Sequence, residues 1–248
     1  MTIFRAELHV HTVLSPCAQV EMIPPLIVRT ALEKHINLIA ITDHNQTANI
    51  AAVQKAALGT GLVVLPGMEI QTREEVHVVC LFDTLEQAYA LQAFVDQRLP
   101  TIRNNPDFFG EQFIVDETGD FLANEDRLLI NSVDASFEQI FTCVAEIGGL
   151  FIPAHVNRKT FGLLAILGFV PTGVKVEALE VTRHIKANEA VRQFPQIRGY
   201  PLIQSGDVHG LDEFCGATEL NLAAPTISEI RLALQNKNGR SLKINDEK

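Results

Sequence analysis

Residues 3–12, Ile3-Phe4-Arg5-Ala6-Glu7-Leu8-His9-Val10-His11-Thr12, read as an apolar strand that ends in two histidines. His9 and His11 stand at i and i+2, a spacing that on a β-strand sends both side chains to one face. Far along the chain, Asp207-Val208-His209 repeats that spacing after the run 201–205. Between these two pieces, other apolar runs meet histidines and carboxylates at their ends. The run 37–42 ends at Thr42, next to Asp43-His44; 61–66 leads into Gly67-Met68-Glu69; and His77 lies near the start of 76–82. The run 149–154 is followed by His155, and 176–182 runs into Arg183-His184. Imidazole nitrogens and carboxylate oxygens gathered at strand ends suit zinc, iron or manganese. A site holding several metal ions is the most economical reading.

The runs rich in Val, Ile and Leu, including 3–10, alternate with helix-length segments at 24–35, 47–58, 84–98, 136–147, 160–167, 186–194 and 226–236. Continuous apolar strands separated by amphipathic helices predict a parallel sheet covered by helices. Seven such strands favour a barrel over an open sheet. The 248 residues fit one α/β barrel domain spanning 1–248. In such barrels the loops after the strand C-termini converge on the active site. The segment 99–135 breaks the pattern with Asn104-Asn105-Pro106 and an apparent hairpin, 112–115 followed by 117–120. It reads equally as a lid or binding element and as a surface insertion. Asn245 to Lys248 read as a solvated tail.

The net charge of −10 argues against binding long nucleic acid, which calls for a basic surface. A small anionic substrate stays compatible, because bound cations reverse the local field. No apolar run approaches the ~20 residues that span a bilayer, so no membrane is expected. No charged-then-apolar leader precedes the first strand, and the chain reads as cytoplasmic. Cys17, Cys80, Cys143 and Cys215 lack the paired spacing of zinc fingers or redox motifs. Phosphate-binding glycine loops and a serine-hydrolase elbow are missing from the sequence.

Several polar residues have plain structural readings beside functional ones. Asp43 is a candidate to orient a neighbouring imidazole, or to cap a helix. His35 reads as a helix C-terminal residue, and Gly206 as room for the backbone at a tight strand end. Arg158, Lys159 and Arg183 follow strand ends, where a guanidinium fork fits phosphate oxygens. Arg158, three residues beyond His155, is the preferred one. His184 is a further candidate for substrate contact.

Taken in order, His-x-His-Thr, Thr-Asp-His, Gly-x-Glu, a His on the next strand, Ala-His and a late Asp-x-His resemble the PHP (polymerase and histidinol phosphatase) superfamily, from about Glu7 to Leu222. The resemblance implies a distorted (β/α)7 TIM-like barrel holding two or three divalent metal ions (Zn, Mn or Fe) at the C-terminal ends of the strands. It implies that His9, His11, Glu69 and Asp207 hold one ion. Glu69 would bridge to a second ion held with His77 and His155, and His44 and His209 would serve a third. Many relatives follow the second histidine with Ser-Asp-Gly, whereas this chain has Leu14-Ser15-Pro16-Cys17-Ala18-Gln19-Val20-Glu21. Cys17 falls where some relatives place a histidine ligand. A Cys17 thiolate, a Glu21 oxygen, or a buried Cys17 beside a weak third site all stay open.

The implied activity is hydrolysis of a small phosphomonoester, histidinol-phosphate-like or a nucleotide, by attack of a metal-bound hydroxide. Asp207 and His209 are the candidates for protonating the leaving group, and Arg158, Arg183 and His184 for holding substrate. The expected partner is a small phosphorylated substrate, with no long nucleic acid. The alternatives are a phosphodiesterase or exonuclease on short oligonucleotide ends, an amidohydrolase-type hydrolase, and a non-catalytic metal-binding regulatory module.

Overall fold

A computed structural model describes residues 1–245. The chain runs β1 (Thr2–Val10), α1 (Pro24–Glu33), β2 (Leu38–Ile41), α2 (Ile50–Ala56), β3 (Val63–Gln71), β4 (His77–Leu81) and α3 (Leu85–Asp96). The inserted segment carries α4 (Pro106–Phe109), β5 (Phe113–Val115) and β6 (Phe121–Asn124). Then come α5 (Phe137–Ile147), β7 (Leu150–Pro153), α6 (Leu163–Ile166), β8 (Leu179–Thr182) and α7 (Ala187–Gln193). The chain closes with β9 (Leu202–Ser205), β10 (Thr218–Leu222), α8 (Ile227–Leu234) and β11 (Ser241–Ile244). Every strand and helix segment read outside 99–135 forms, most of them shorter at the ends.

Local chemistry explains several boundaries. Pro24 and Pro25 occupy the first positions of α1, where a missing N–H costs nothing. Reciprocal capping bonds, Thr84 with Gln87 and Ser136 with Gln139, start α3 and α5. His35 lies beyond the end of α1 in a left-handed conformation, φ +57°. It therefore stops the helix instead of sitting in its last turn.

The main sheet has the order β11-β10-β1-β2-β3-β4-β7, and β8 pairs with β9 in parallel beside it. The fold is mixed α/β with a curled, half-barrel sheet, in keeping with the α/β barrel class expected from the sequence. Two single links extend the wall: Val156 N–H donates to Glu180 O, and Val208 bridges Val10. The prediction of an all-parallel sheet fails at β4, which is antiparallel to both β3 and β7. A short turn at Thr72–Val76 joins β3 to β4 with no helix between, and a hairpin has to reverse direction. β10 and β11 were not read from the sequence, and both pair antiparallel. The hairpin of the insertion forms with its second arm at 121–124, because residues 116–120 make the turn, in which Asp116 Oδ1 accepts from the Thr118 and Asp120 amides.

Inside the curl, Ala6, Leu8, Leu38, Ala40, Leu65, Val79, Leu81 and Ile152 pack together. Ile227, Ile230, Ala233 and Leu234 of α8 belong to the same cluster. A larger cluster, including Ile39, Ile41 and Cys80, lies between the sheet and the other helices. Strands buried on both faces account for the unbroken apolar runs. Asn245 donates its N–H to Ala217 O, and the rest of the proposed tail lies outside the described residues.

Candidate metal centre

Each donor reaches the centre by a different backbone device. In β1 the pairing with β2 slips between Glu7 and Val10, where one extra residue is accommodated. The irregularity changes the phase of the strand. Ala6 and Leu8 face the inner core before it, and His9 and His11 point to the centre after it. Glu69 lies in β3 and its backbone bridges His44. His77 opens β4, and the reversal of that strand brings its first residue, not its last, to the face where the other strands end. Asp207 and His209 follow β9 and are not in a strand; Asp207 has φ +50°. Val208 between them pairs with β1, donating to His9 O and accepting from His11 N–H. His155, with φ +30°, is likewise held in a conformation that L-residues seldom adopt.

Glu69 is the hub. Its Oε1 lies 2.9 Å from His77 Nδ1, 3.2 Å from His155 Nε2 and 3.3 Å from His9 Nε2. Its Oε2 lies 3.1 Å from His44 Nδ1 and 3.3 Å from His11 Nε2. Asp207 Oδ1 stands 3.3 Å from His9 Nε2, 3.4 Å from His11 Nε2 and 3.5 Å from His209 Nδ1. Among the described residues, three groups have donor atoms close enough to share a cation: His9, His11, Glu69 and Asp207; His44, Glu69 and His77; and His11, His44 and His209. His155 touches the hub but belongs to none of the three. Cys17 and Glu21 join none of them either. Cys17 is exposed, so the buried reading of it does not hold, and it lines a cleft beside the centre.

His9 Nε2, His11 Nε2, His44 Nδ1, Glu69 Oε2 and Asp207 Oδ1 are buried without a hydrogen-bond partner. Buried polar atoms left this way are costly, and cations shared within these groups would satisfy all of them. The donor set therefore fits divalent metal ions. Electrostatics agree. Burial would raise the Glu69 carboxyl, but His77, His9 and His44 hold it well below its usual value. Burial would also raise Asp207, and His9 and His11 hold it well below. Burial, with His11 adding, lowers His209 to about 4. An ionised Asp207 and a neutral His209 are suited to ligation and are poorly set to protonate a leaving group.

Behind the donors stands a layer the sequence reading partly missed. His9 Nδ1–H donates to both oxygens of Glu180 at 3.0 and 3.1 Å, and the His155 amide donates to the same carboxylate. His11 Nδ1–H donates to Ser15 Oγ, whose hydroxyl donates to Asp43. Asp43 thus orients an imidazole, but that of His11 through Ser15, not that of the adjacent His44. Glu7, fully buried in β1, accepts the amides of Gly206, Cys215 and Gly216. Glu7 does leave a signal, as the lone acid of its apolar run, whereas Glu180 shares the run 176–182 with Glu177 and is not singled out there.

The cleft of about 440 Å³ at this face is lined by Arg158, Arg183, His184, Asp207 and His209 among others. Arg158 Nη1 donates to Asp207 Oδ2 at 2.8 Å. Arg183 is tied down: it donates to Gly206 O and, at 2.7 Å, to Glu213. Glu213 also accepts the His209 and Gly210 amides, so it clamps the loop that carries Asp207 and His209. The inserted segment is built onto the same face, with Gln71 bonded to Ser132 and Asn45 to the carbonyls of Leu129 and Asn131.

A family model described as the PHP domain matches residues 7–152. The 5'-3' exoribonuclease Rnm of Escherichia coli strain K12 is 36% identical over 80 residues, 30% of this chain and 26% of that relative. The fold is similar to that of the lesion-specific endonuclease Q of Pyrococcus furiosus, with TM-score 0.72 and 18% identity over 97% of this chain and 58% of that one. It is equally similar, with TM-score 0.73 and the same coverage, to endonuclease Q in complex with a 27-mer duplex bearing an abasic lesion at the active site. The chain thus spans 58% of these solved chains and matches only 26% of the curated relative. The curated relative is an exoribonuclease, and the two solved structures of like fold are of an endonuclease, one of them held on a 27-mer duplex. That overturns the expectation of a small phosphorylated substrate and no long nucleic acid. Net charge is a weak guide here, because a cation held at such a centre would supply positive potential to a phosphate whatever the sign of the whole surface.

Proposed function

Starting from a chain that belongs to the PHP domain family of metal-dependent hydrolases, we propose that it cleaves phosphodiester bonds in nucleic acid. The observation that carries this reading is the set of unpartnered buried donors on His9, His11, His44, Glu69 and Asp207. His9, His11, Glu69 and Asp207 would hold one ion, and His44, Glu69 and His77 a second, with His155 against Glu69 Oε1. His11, His44 and His209 offer a third position. Zinc, manganese and iron all suit these donors.

Divalent ions bound there neutralise phosphoryl charge and activate water. The chain's own part is positioning. Glu180 and Ser15 fix the tautomers of His9 and His11 so that each presents Nε2 to the centre. Arg158, bonded to the outer oxygen of Asp207, sits where its guanidinium can take a non-bridging phosphate oxygen. The Glu213 clamp holds Asp207 and His209 in register.

The test is hydrolysis of bis(p-nitrophenyl) phosphate and of a single-stranded tetranucleotide by protein stripped of metal and reloaded with manganese, zinc or iron(II). Metal-dependent cleavage that disappears in Asp207→Asn supports the reading. Cleavage of an amide or lactone with none of either diester would replace it with the amidohydrolase alternative.

A further inference from the structure

A second cavity, of about 450 Å³, opens next to the metal-centre cleft, and the two share Arg183 and His184 as a common ridge. Beyond the ridge its walls include Arg5, Lys186, Ile185 and Ala217. The geometry points to a compartment for the nucleotide joined to the scissile phosphate, so that the substrate is a chain of at least two nucleotides. This rests on the phosphodiesterase reading above and specifies where the rest of that substrate lies.

Charge is the first argument. In a chain with 30 acidic against 20 basic residues, this cavity's described lining sets Arg5 and Lys186 against one carboxylate, Glu189, with Arg183, paired to Glu213 outside the lining, and the imidazole of His184 beside them. Arg5 donates through Nε, Nη1 and Nη2 to the carbonyls of Gly216, Lys34 and Cys215. Those bonds fix the guanidinium without cancelling its charge. Lys186 and His184 are exposed on the rim. A patch of this sign attracts a phosphodiester backbone.

Shape is the second. The volume is that of a small-ligand pocket, and Ile185 and Ala217 give it apolar wall on which a base can rest. The ridge is rigid: Gln204 Nε2 donates to Thr182 O and Ile185 O, and Arg183 is bonded to Gly206 O and Glu213. A strand crossing it would leave its scissile phosphate in the metal cleft and place the adjoining nucleotide in the second cavity.

The experiment compares the metal-loaded protein with Lys186→Glu and Glu189→Lys, two exposed charge reversals of opposite sign. The readout is the ratio of kcat/KM for a single-stranded tetranucleotide to that for bis(p-nitrophenyl) phosphate, which is too small to fill both cavities. The ratio should fall about fivefold in Lys186→Glu at low salt, with the salt slope reduced by about one, and rise in Glu189→Lys. An unmoved ratio in both variants overturns the compartment. Competition by inorganic phosphate as effective as that by a dinucleotide also overturns it, leaving an anion site only. If neither diester is cleaved, the phosphodiesterase reading falls on its own. Fluorescence anisotropy of a labelled tetranucleotide in the same three proteins then decides the compartment: affinities ordered by charge support it, and equal affinities overturn it.

Discussion

Glu180 accepts from His9 Nδ1 through both oxygens and from the His155 amide, yet it belongs to none of the groups that can share a cation. Its work is to choose the tautomer of His9 and to hold the turn at His155. Outer partners of this kind are worth roughly 10- to 100-fold in metal affinity. Glu180→Ala should therefore lose about that factor, read as metal content after dialysis at fixed free zinc or manganese. A direct donor has a different signature. His9→Ala and Asp207→Asn should abolish metal-dependent turnover while leaving far-ultraviolet circular dichroism unchanged, because the donors lie at the strand-end face and not in the apolar core. Full activity in metal-analysed Asp207→Asn protein would sink the site. His77 shows where residue-level reading stops. Placed at the start of its apolar run, it has nothing local to mark it as a donor.

At the scale of elements, the cause lies in direction and phase. β4 runs against its neighbours, which turns a strand start into an active-face position. β1 changes phase at its irregularity, which lets one strand fill the inner core and then supply two donors. The loop after β9 is framed at both ends by carboxylates, with Glu7 on the Gly206 amide and Glu213 on the His209 amide. A Cβ added at Gly206 would lie 2.5 Å from Glu213 O and 2.7 Å from Val208 Cγ2. Gly206→Ala should therefore cost about 1–3 kcal/mol in urea unfolding and weaken metal binding as well, since the displaced loop carries Asp207. Wild-type stability together with wild-type metal affinity would show that the loop is not clamped as described.

For the whole molecule, the centre draws side chains from β1, β3 and β4 and from the loops after β2, β7 and β9, so cation binding ties distant parts of the fold together. A ligand that binds only the folded state at 100 times its Kd adds about 2.7 kcal/mol. For a chain of this size that is about 5–10 °C in Tm. Metal-loaded protein should melt higher than protein treated with a chelator, by roughly this margin, and His9→Ala should lose most of the difference. Equal melting temperatures would count against a structural hold by metal. No helix among the described residues is long and apolar enough to cross a membrane. The sequence by itself determined the alternation of strands and helices and marked most of the side chains that the fold gathers at the centre, because side-chain period and donor chemistry are properties of short stretches. It also carried the family, through the order of its motifs. The tertiary structure alone decided the reversal of β4, the pairing of β10 and β11, and the support of His9 by Glu180, 171 positions away. It decided too that Arg183 is bound to Glu213. Those features depend on which distant backbones lie side by side, and no local pattern of residues encodes that.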